Sequence, residues 1–241
     1  MKTIIQSILT VTAVGAVCLL TGCETTGLSP RERSGVSYPG YVMSLAAAQT
    51  NVPAQIMVTP IRLAVAQVGE AAPPAALLEK LGRRPDVIAA VTGLPLPGEQ
   101  GNIDNANQPK SSDEEYGRRM QSLCRLSRAA GADYVFVFGG NLDSWRNNNQ
   151  LSLLDGTLIG GVLLPGGEVN VEGRGAGVLV EVTTGSPVSF VSADISHSAA
   201  TPDFLANGKQ AGMSVAARNE LVGKLGDELL KKLAASSPAK P

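Results

Sequence analysis

His197 is the only histidine in the 241 residues, so any metal centre or acid–base pair must be built on it and on carboxylates. Asp194 is its nearest acidic neighbour, three positions away in a stretch that reads as a strand. Side chains alternate across a strand, so the two point to opposite faces. That spacing is poor for a zinc pair or an Asp–His dyad, and no Gly-x-Ser-x-Gly elbow accompanies it. Gly173-Arg174-Gly175-Ala176-Gly177 has the glycine density of a phosphate loop. Its spacing is not the dinucleotide fingerprint, and strand rather than helix follows it, so no helix N-terminus faces an anion. A bulge or close packing accounts for these glycines better. Cys124 lies beside Leu123 on an apolar helical stripe, the place of a core thiol rather than a redox centre. Arg118, Arg119, Arg125 and Arg128 give the same helix a basic outer face, read as solvated. The expectation is no catalytic residue, no metal and no cofactor: a chain that is not an enzyme.

Cys23 is the position with assignable chemistry. Lys2 is the one charge of the first 22 residues, and an apolar run from Ile4 to Leu20 follows, interrupted by Gln6, Ser7, Thr10 and Thr12. This is the layout of a secretory signal, too polar and too short for a spanning helix of about 20 apolar residues. Leu20-Thr21-Gly22-Cys23 resembles the lipobox of bacterial lipoproteins. The resemblance implies cleavage between Gly22 and Cys23, acylation of Cys23, and membrane lipid as a partner. Several acyl chains on one residue give stable anchoring, since each buried methylene contributes about 0.8 kcal/mol. In such lipoproteins of enteric-type bacteria, Asp after the cysteine favours inner-membrane retention. Glu24 stands there, which by resemblance points to an outer-membrane anchor on the periplasmic face.

Loss of the signal leaves 19 basic residues against 21 acidic ones, with no basic stripe, so nucleic acid is not an expected partner. Three cysteines become two, and acylation of Cys23 leaves Cys124 without an intramolecular partner. No disulfide framework exists, and the fold must rest on an aliphatic core.

The organisation expected is a signal over residues 1–22, a lipid-anchored tether and lead-in over 23–55, one α/β domain over 56–235, and a disordered tail over 236–241. Residues 42–54 fit a short helix or a pairing strand. Ile61 to Ala66 is a near-continuous apolar run, expected of a strand covered on both faces. Pro73-Pro74 opens a helix that Gly82 stops. A second strand spans Asp86 to Thr92, and a Gly-, Pro- and Asn-rich loop follows to Lys110. Ser112 and Glu115 form a capping-box pair for a helix with Tyr116, Met120, Leu123 and Ser127 on one stripe, ended by Gly131. Tyr134 to Phe138 has no polar face and reads as a central strand. Beyond it, Val169 and Val171 alternate with polar residues, and the apolar phase then flips to Val178, Val180 and Val182, which predicts a bulge or bend at the intervening glycines. Thr184 to Pro187 is a turn, Val188 to Ser196 its partner strand, and a long helix runs from about Gly212 to Leu233.

The order of these elements gives an α/β fold: a mixed sheet of about five strands packed by about three helices, with the C-terminal helix on the sheet. Ala129-Ala130-Gly131-Ala132-Asp133-Tyr134-Val135 resembles the helix, G-A-D-Y, strand junction of envelope lipoproteins related to the curli secretion-channel lipoprotein and the TolB N-terminal domain. The run from Gly177 to Gly185 resembles their later strand ending in D-x-x-T-G, with Glu181 in place of Asp. The resemblance spans residues 56–235 and implies a periplasmic domain that binds an envelope protein or assembles as a homo-oligomer. A secretion pore would need hairpins of about 9 to 11 alternating residues per strand, and the 151–168 stretch lacks that alternation.

That stretch, Leu151 to Gly167, is glycine-rich and strongly apolar. It fits a hairpin buried against a helix, or an exposed loop presenting Leu158, Ile159, Val162, Leu163 and Leu164 to a partner or a lipid surface. The expectation is therefore a non-catalytic, lipid-anchored binding or assembly module. A periplasmic hydrolase with an unrecognised site and a structural spacer stand as alternatives.

Overall fold

Two apolar runs, Ile61–Gln67 and Tyr134–Phe138, can be buried only if both of their faces are covered, and the architecture does this by placing them side by side. The computed structural model describes residues 32–34, 57–95, 112–148, 167–202 and 205–236. In chain order the elements are β1 (Glu32–Ser34), β2 (Ile61–Gln67), α1 (Ala75–Gly82), β3 (Ile88–Gly93), α2 (Ser112–Ala129), β4 (Tyr134–Asn148), β5 (Gly167–Glu181), β6 (Pro187–Thr201) and α3 (Ala206–Ser236). The sheet order is β3-β2-β4-β5-β6, with β1 joined to β4 off that path. The β3, β2 and β4 strands are parallel, and β4, β5 and β6 are antiparallel. This is the mixed α/β sheet expected, with the C-terminal helix packed on it.

The β4 strand changes neighbour along its length. Its first part, Tyr134 to Phe138, pairs with β2. Leu142 to Ser144 pairs instead with β1, which lies antiparallel with Glu32 opposite Ser144 and Ser34 opposite Leu142. A short piece of the stretch expected to be tether and lead-in is thus a strand of the sheet.

One face carries the large side chains. Leu63, Val65, Phe136, Phe138, Leu179 and Ile195 pack beneath Leu77 and Leu81 of α1 and beneath Leu221, Leu225, Leu229 and Leu233 of α3. The other face is built from smaller residues: Ala64, Ala66, Val135, Val137, Val178 and Val180 lie under Met120, Leu123 and Cys124 of α2. Met120, Leu123 and Ser127 of the stripe expected on α2 are buried, Tyr116 lies outside the residues whose side chains are described, and Ser127 donates to the Leu123 carbonyl at 2.8 Å.

The β5 glycines make no bulge against β4: pairing runs without a shift from Tyr134–Glu181 to Asn148–Gly167. The predicted flip has another cause. Val171 belongs to the core under α3, whereas Val178 and Val180 belong to the core under α2. Between them Gly173, Gly175 and Gly177 fall on the α3 face, where no side chain fits. A Cβ on Gly175 would lie 2.9 Å from Leu225 Cδ1, and one on Gly177 would lie 2.5 Å from Phe136 Cζ. Close packing, the second reading of the motif, is the one realised; the register irregularity in β5 is at Leu179/Val180, on the β6 side.

The α3 helix begins at Ala206, earlier than the expected Gly212. Residues 207–216 bury no side chain fully, so no apolar stripe marks that part; Gln210 Nε2 ties it to the sheet by donating to Ser144 Oγ at 2.9 Å. The α1 helix runs through Gly82 and leaves by Arg83 in a right-handed conformation, so Gly82 is no left-handed stop.

Candidate functional site

The two junction motifs are structural in their chemistry. Gly131 adopts φ +76°; Gly131 N–H donates to Arg128 O at 2.9 Å and Ala132 N–H to Ser127 O at 2.9 Å, the paired bonds of a Schellman stop. Asp133 then clamps β4 to β2. It receives Arg62 Nη2 at 2.7 Å and Arg62 Nε at 3.1 Å, while its own N–H donates to Arg62 O at 2.8 Å. The guanidinium of Arg62 holds the Asp133 carboxyl below its ordinary range, against a smaller opposing effect of burial. In the second motif, Thr184 Oγ1 donates to Glu181 Oε2 at 2.7 Å, and Gly185, at φ +71°, closes the β5–β6 hairpin. Arg128, read as part of a solvated basic face, donates to the Val182 carbonyl at 3.0 Å and joins α2 to this turn.

His197 lies on the α3 face of β6, opposite Val171, and Asp194 lies on the other face, opposite Arg174. The two are kept apart as their spacing predicts. His197 Nε2 instead lies 2.9 Å from Glu220 Oε2, and Lys224 Nζ lies 3.0 Å from Glu220 Oε1. Glu220 is held below its ordinary range, chiefly by Lys224 and then by His197. All three are partly exposed, and the group ties the sheet's last strand to α3. Cys124 is buried, and burial pushes its thiol upward. Among the described residues no group of three or more His, Cys, Asp or Glu side chains could hold a metal ion.

Two features lie beyond the motifs. A cleft forms where β4 passes from β2 to β1, lined by Gln67, Phe138, Gly140, Leu221 and Leu225 and bordered by the Glu70–Arg218 ion pair at 3.3 Å. Its cavity of about 30 Å³ has room for water but is well below the roughly 300–1,000 Å³ of ligand sites. The lining residues come from β2, β4 and α3, so no local spacing announced them.

The second feature is a polar plate on the α2 side of the sheet, beyond the reach of the α2 core. Asn141, Asp143 and Trp145 of β4 stand opposite Arg174, Glu172 and Asn170 of β5. The alternation of strand side chains puts all six on one face. Asn141 Oδ1 and Asn170 Nδ2 are screened from water without a hydrogen-bond partner. Beside them on β6, Ser192, Asp194, Ser196 and Ser198 are exposed. In the sequence, Asn170, Glu172 and Arg174 alternate with Val169 and Val171, but their partners on β4 follow no alternation and are set only by strand register.

Gly22 and Cys23 lie outside the described residues, as do Leu158, Ile159, Val162, Leu163 and Leu164. No described helix is long and apolar enough to cross a membrane. No family model matches the chain, and no curated protein matches it. Among solved structures, the PelC dodecamer from Paraburkholderia phytofirmans is similar at 12% identity and a TM-score of 0.32, covering 78% of this chain and 95% of that one. A likeness at that level identifies no family.

Proposed function

We propose that this chain is a lipid-anchored module of the cell envelope that binds or assembles proteins without catalysing a reaction. The observation that carries the reading is the plate on β4, β5 and β6: a ladder of amides, charges and one indole on three strands of 15 residues each. Extended polar sheet surfaces with an aromatic residue suit macromolecular partners, whereas small-molecule sites are concave. The anchor rests on the Leu20-Thr21-Gly22-Cys23 motif, with the outer membrane as its place through Glu24 and the apolar residues 158–164 as a further contact.

A photoreactive residue in place of Arg174 or Ser196, both exposed on the plate, tests the reading in intact cells. Irradiation is expected to yield discrete crosslinked species, either the chain's own dimer or a second protein, that a photoreactive residue at Ser186 does not yield. Monomer alone from both plate positions overturns the proposal.

A further inference from the structure

The two ends of the sheet order are unlike. On one side lies β3, whose six residues keep that edge short. On the other lies β6, 15 residues from Pro187 to Thr201 that among the described residues pair only with β5. A free edge strand offers a row of backbone N–H and C=O groups to another strand, and proteins blunt such edges by shortness, charge, proline or a bulge. Little of this protects β6. Pro187 stands at its first position, and the register irregularity lies near that same end, opposite Leu179 and Val180. Asp194 is the strand's one carboxylate, and it holds no Lys or Arg. On the plate face Ser192, Asp194, Ser196 and Ser198 are all exposed. Lys224 Nζ reaches the Asp194 carbonyl only at 3.5 Å, the outer limit of a hydrogen bond, so little is lost if a strand displaces it.

We infer that β6 pairs antiparallel with β6 of a second copy about a two-fold axis at Ile195, an inference that rests on the plate's being an interaction surface and names its partner. The strand's own residues select the register. An axis at Asp194, the midpoint of the strand, sets that carboxylate against its own copy, and like charges directly opposite are destabilising. An axis at Ala193 draws Pro187, which has no N–H, into the ladder. Moving the axis to Ile195 removes both faults, and moving it further shortens the ladder. Residues 189–201 then pair, with Pro187 and Pro202 outside. Asp194 meets the partner's Ser196, whose hydroxyl donates to it, and Ser192 meets the partner's Ser198. Each step of the axis by one residue shifts the register by two, so every side chain keeps its face. The contact is isologous and closes on itself, giving a dimer rather than a fibre. It joins the plates of the two copies into one surface.

Ser192 and Ser198 lie about 20 Å apart along one strand, too far to meet within a copy, yet they stand opposite each other across the axis. Full-length protein in detergent micelles is compared by sedimentation with its S192K/S198K and S192K/S198E variants. The first sets lysine against lysine and the second lysine against glutamate, and each dimer holds the pair twice. Self-association of S192K/S198K is expected to be roughly tenfold or more weaker than the parent's, and that of S192K/S198E equal to the parent's or stronger. The two variants share the lysine at 192, so a folding defect caused by it would weaken both alike. Equal association of the two variants overturns the pairing, as does a parent that sediments as monomer at every concentration. A monomeric parent that still crosslinks to a second protein from Arg174 or Ser196 overturns the pairing alone. Absence of both self-association and crosslinks overturns the pairing and the plate's role together.

Discussion

The two faces of the sheet solve the same packing problem by opposite means. Under α3 the strands supply Phe136, Phe138, Leu179 and Ile195, and the space between them is cleared by Gly173, Gly175 and Gly177 so that Leu221 and Leu225 can settle on bare backbone. Under α2 the strands supply the smaller valines and alanines, Val135, Val137, Val178, Val180, Ala64 and Ala66, beneath Met120, Leu123 and Cys124. The first face follows α3 down the ribbon, and the second ends with α2, after which the same strands turn polar. A strand's apolar phase therefore reports which face is covered at that point, and its reversal along β5 needs no break in the backbone.

Truncation under α3 should be the largest disturbance. Leu225 is fully buried against Gly175, and Leu225→Ala is expected to cost about 2–5 kcal/mol through lost transfer and the cavity left behind. Urea unfolding measures it; a loss under about 1 kcal/mol would mean that α3 is not the principal cover of that face.

Glycine substitution sharpens the contrast between packing and backbone conformation. Gly177→Ala drives a methyl onto Phe136 and the base of Phe138, with an expected loss of roughly 1–3 kcal/mol from overpacking. Gly131→Ala meets nothing within 4 Å but holds φ at +76°, so about 1–2 kcal/mol is expected from conformation alone. A second substitution, Phe136→Leu, should restore part of the Gly177→Ala loss and none of the Gly131→Ala loss. Equal response of both to Phe136→Leu would remove the distinction.

The smallest effect belongs to the exposed Arg62–Asp133 clamp. Asp133 titrates lower in the folded chain than in the unfolded one, so the unfolded state binds more protons as the solution is acidified. Its contribution is present above the ordinary carboxylate range, about pH 4, and is lost as pH falls through the folded value. The difference in unfolding midpoint between the parent protein and Asp133→Asn should therefore shrink from pH 6 to pH 3. A difference that is constant over that window would mean that the carboxylate charge contributes nothing at this junction.

Much of the fold was legible because its signals are local. The stop at Gly131 and the Glu181–Thr184–Gly185 turn are each completed within six residues, and the apolar stripe of α2 repeats with the helix. The start of α3 was not legible, since residues 207–216 bury no side chain fully and the hydrogen bond that ties this part to the sheet, Gln210 to Ser144, spans 66 positions. The strand at Glu32–Ser34 was equally silent: three residues carry no periodicity, and its place is set by its partner Leu142–Ser144. His197 and Asp194 could be separated from their spacing alone, but nothing nearby in the chain pointed to Glu220.

By itself the sequence determined the kinds and order of the elements, the mixed α/β class and the lack of a cysteine framework. Those follow from side-chain periodicity, turn chemistry and counting, all of which act between near neighbours. Tertiary structure decided what the glycines of β5 are for, how Asp133 meets Arg62 across 71 positions, and where the six polar residues of β4 and β5 gather into one plate. Each of those depends on register and on which helix covers which face, and register is settled only when distant strands bury their apolar sets together.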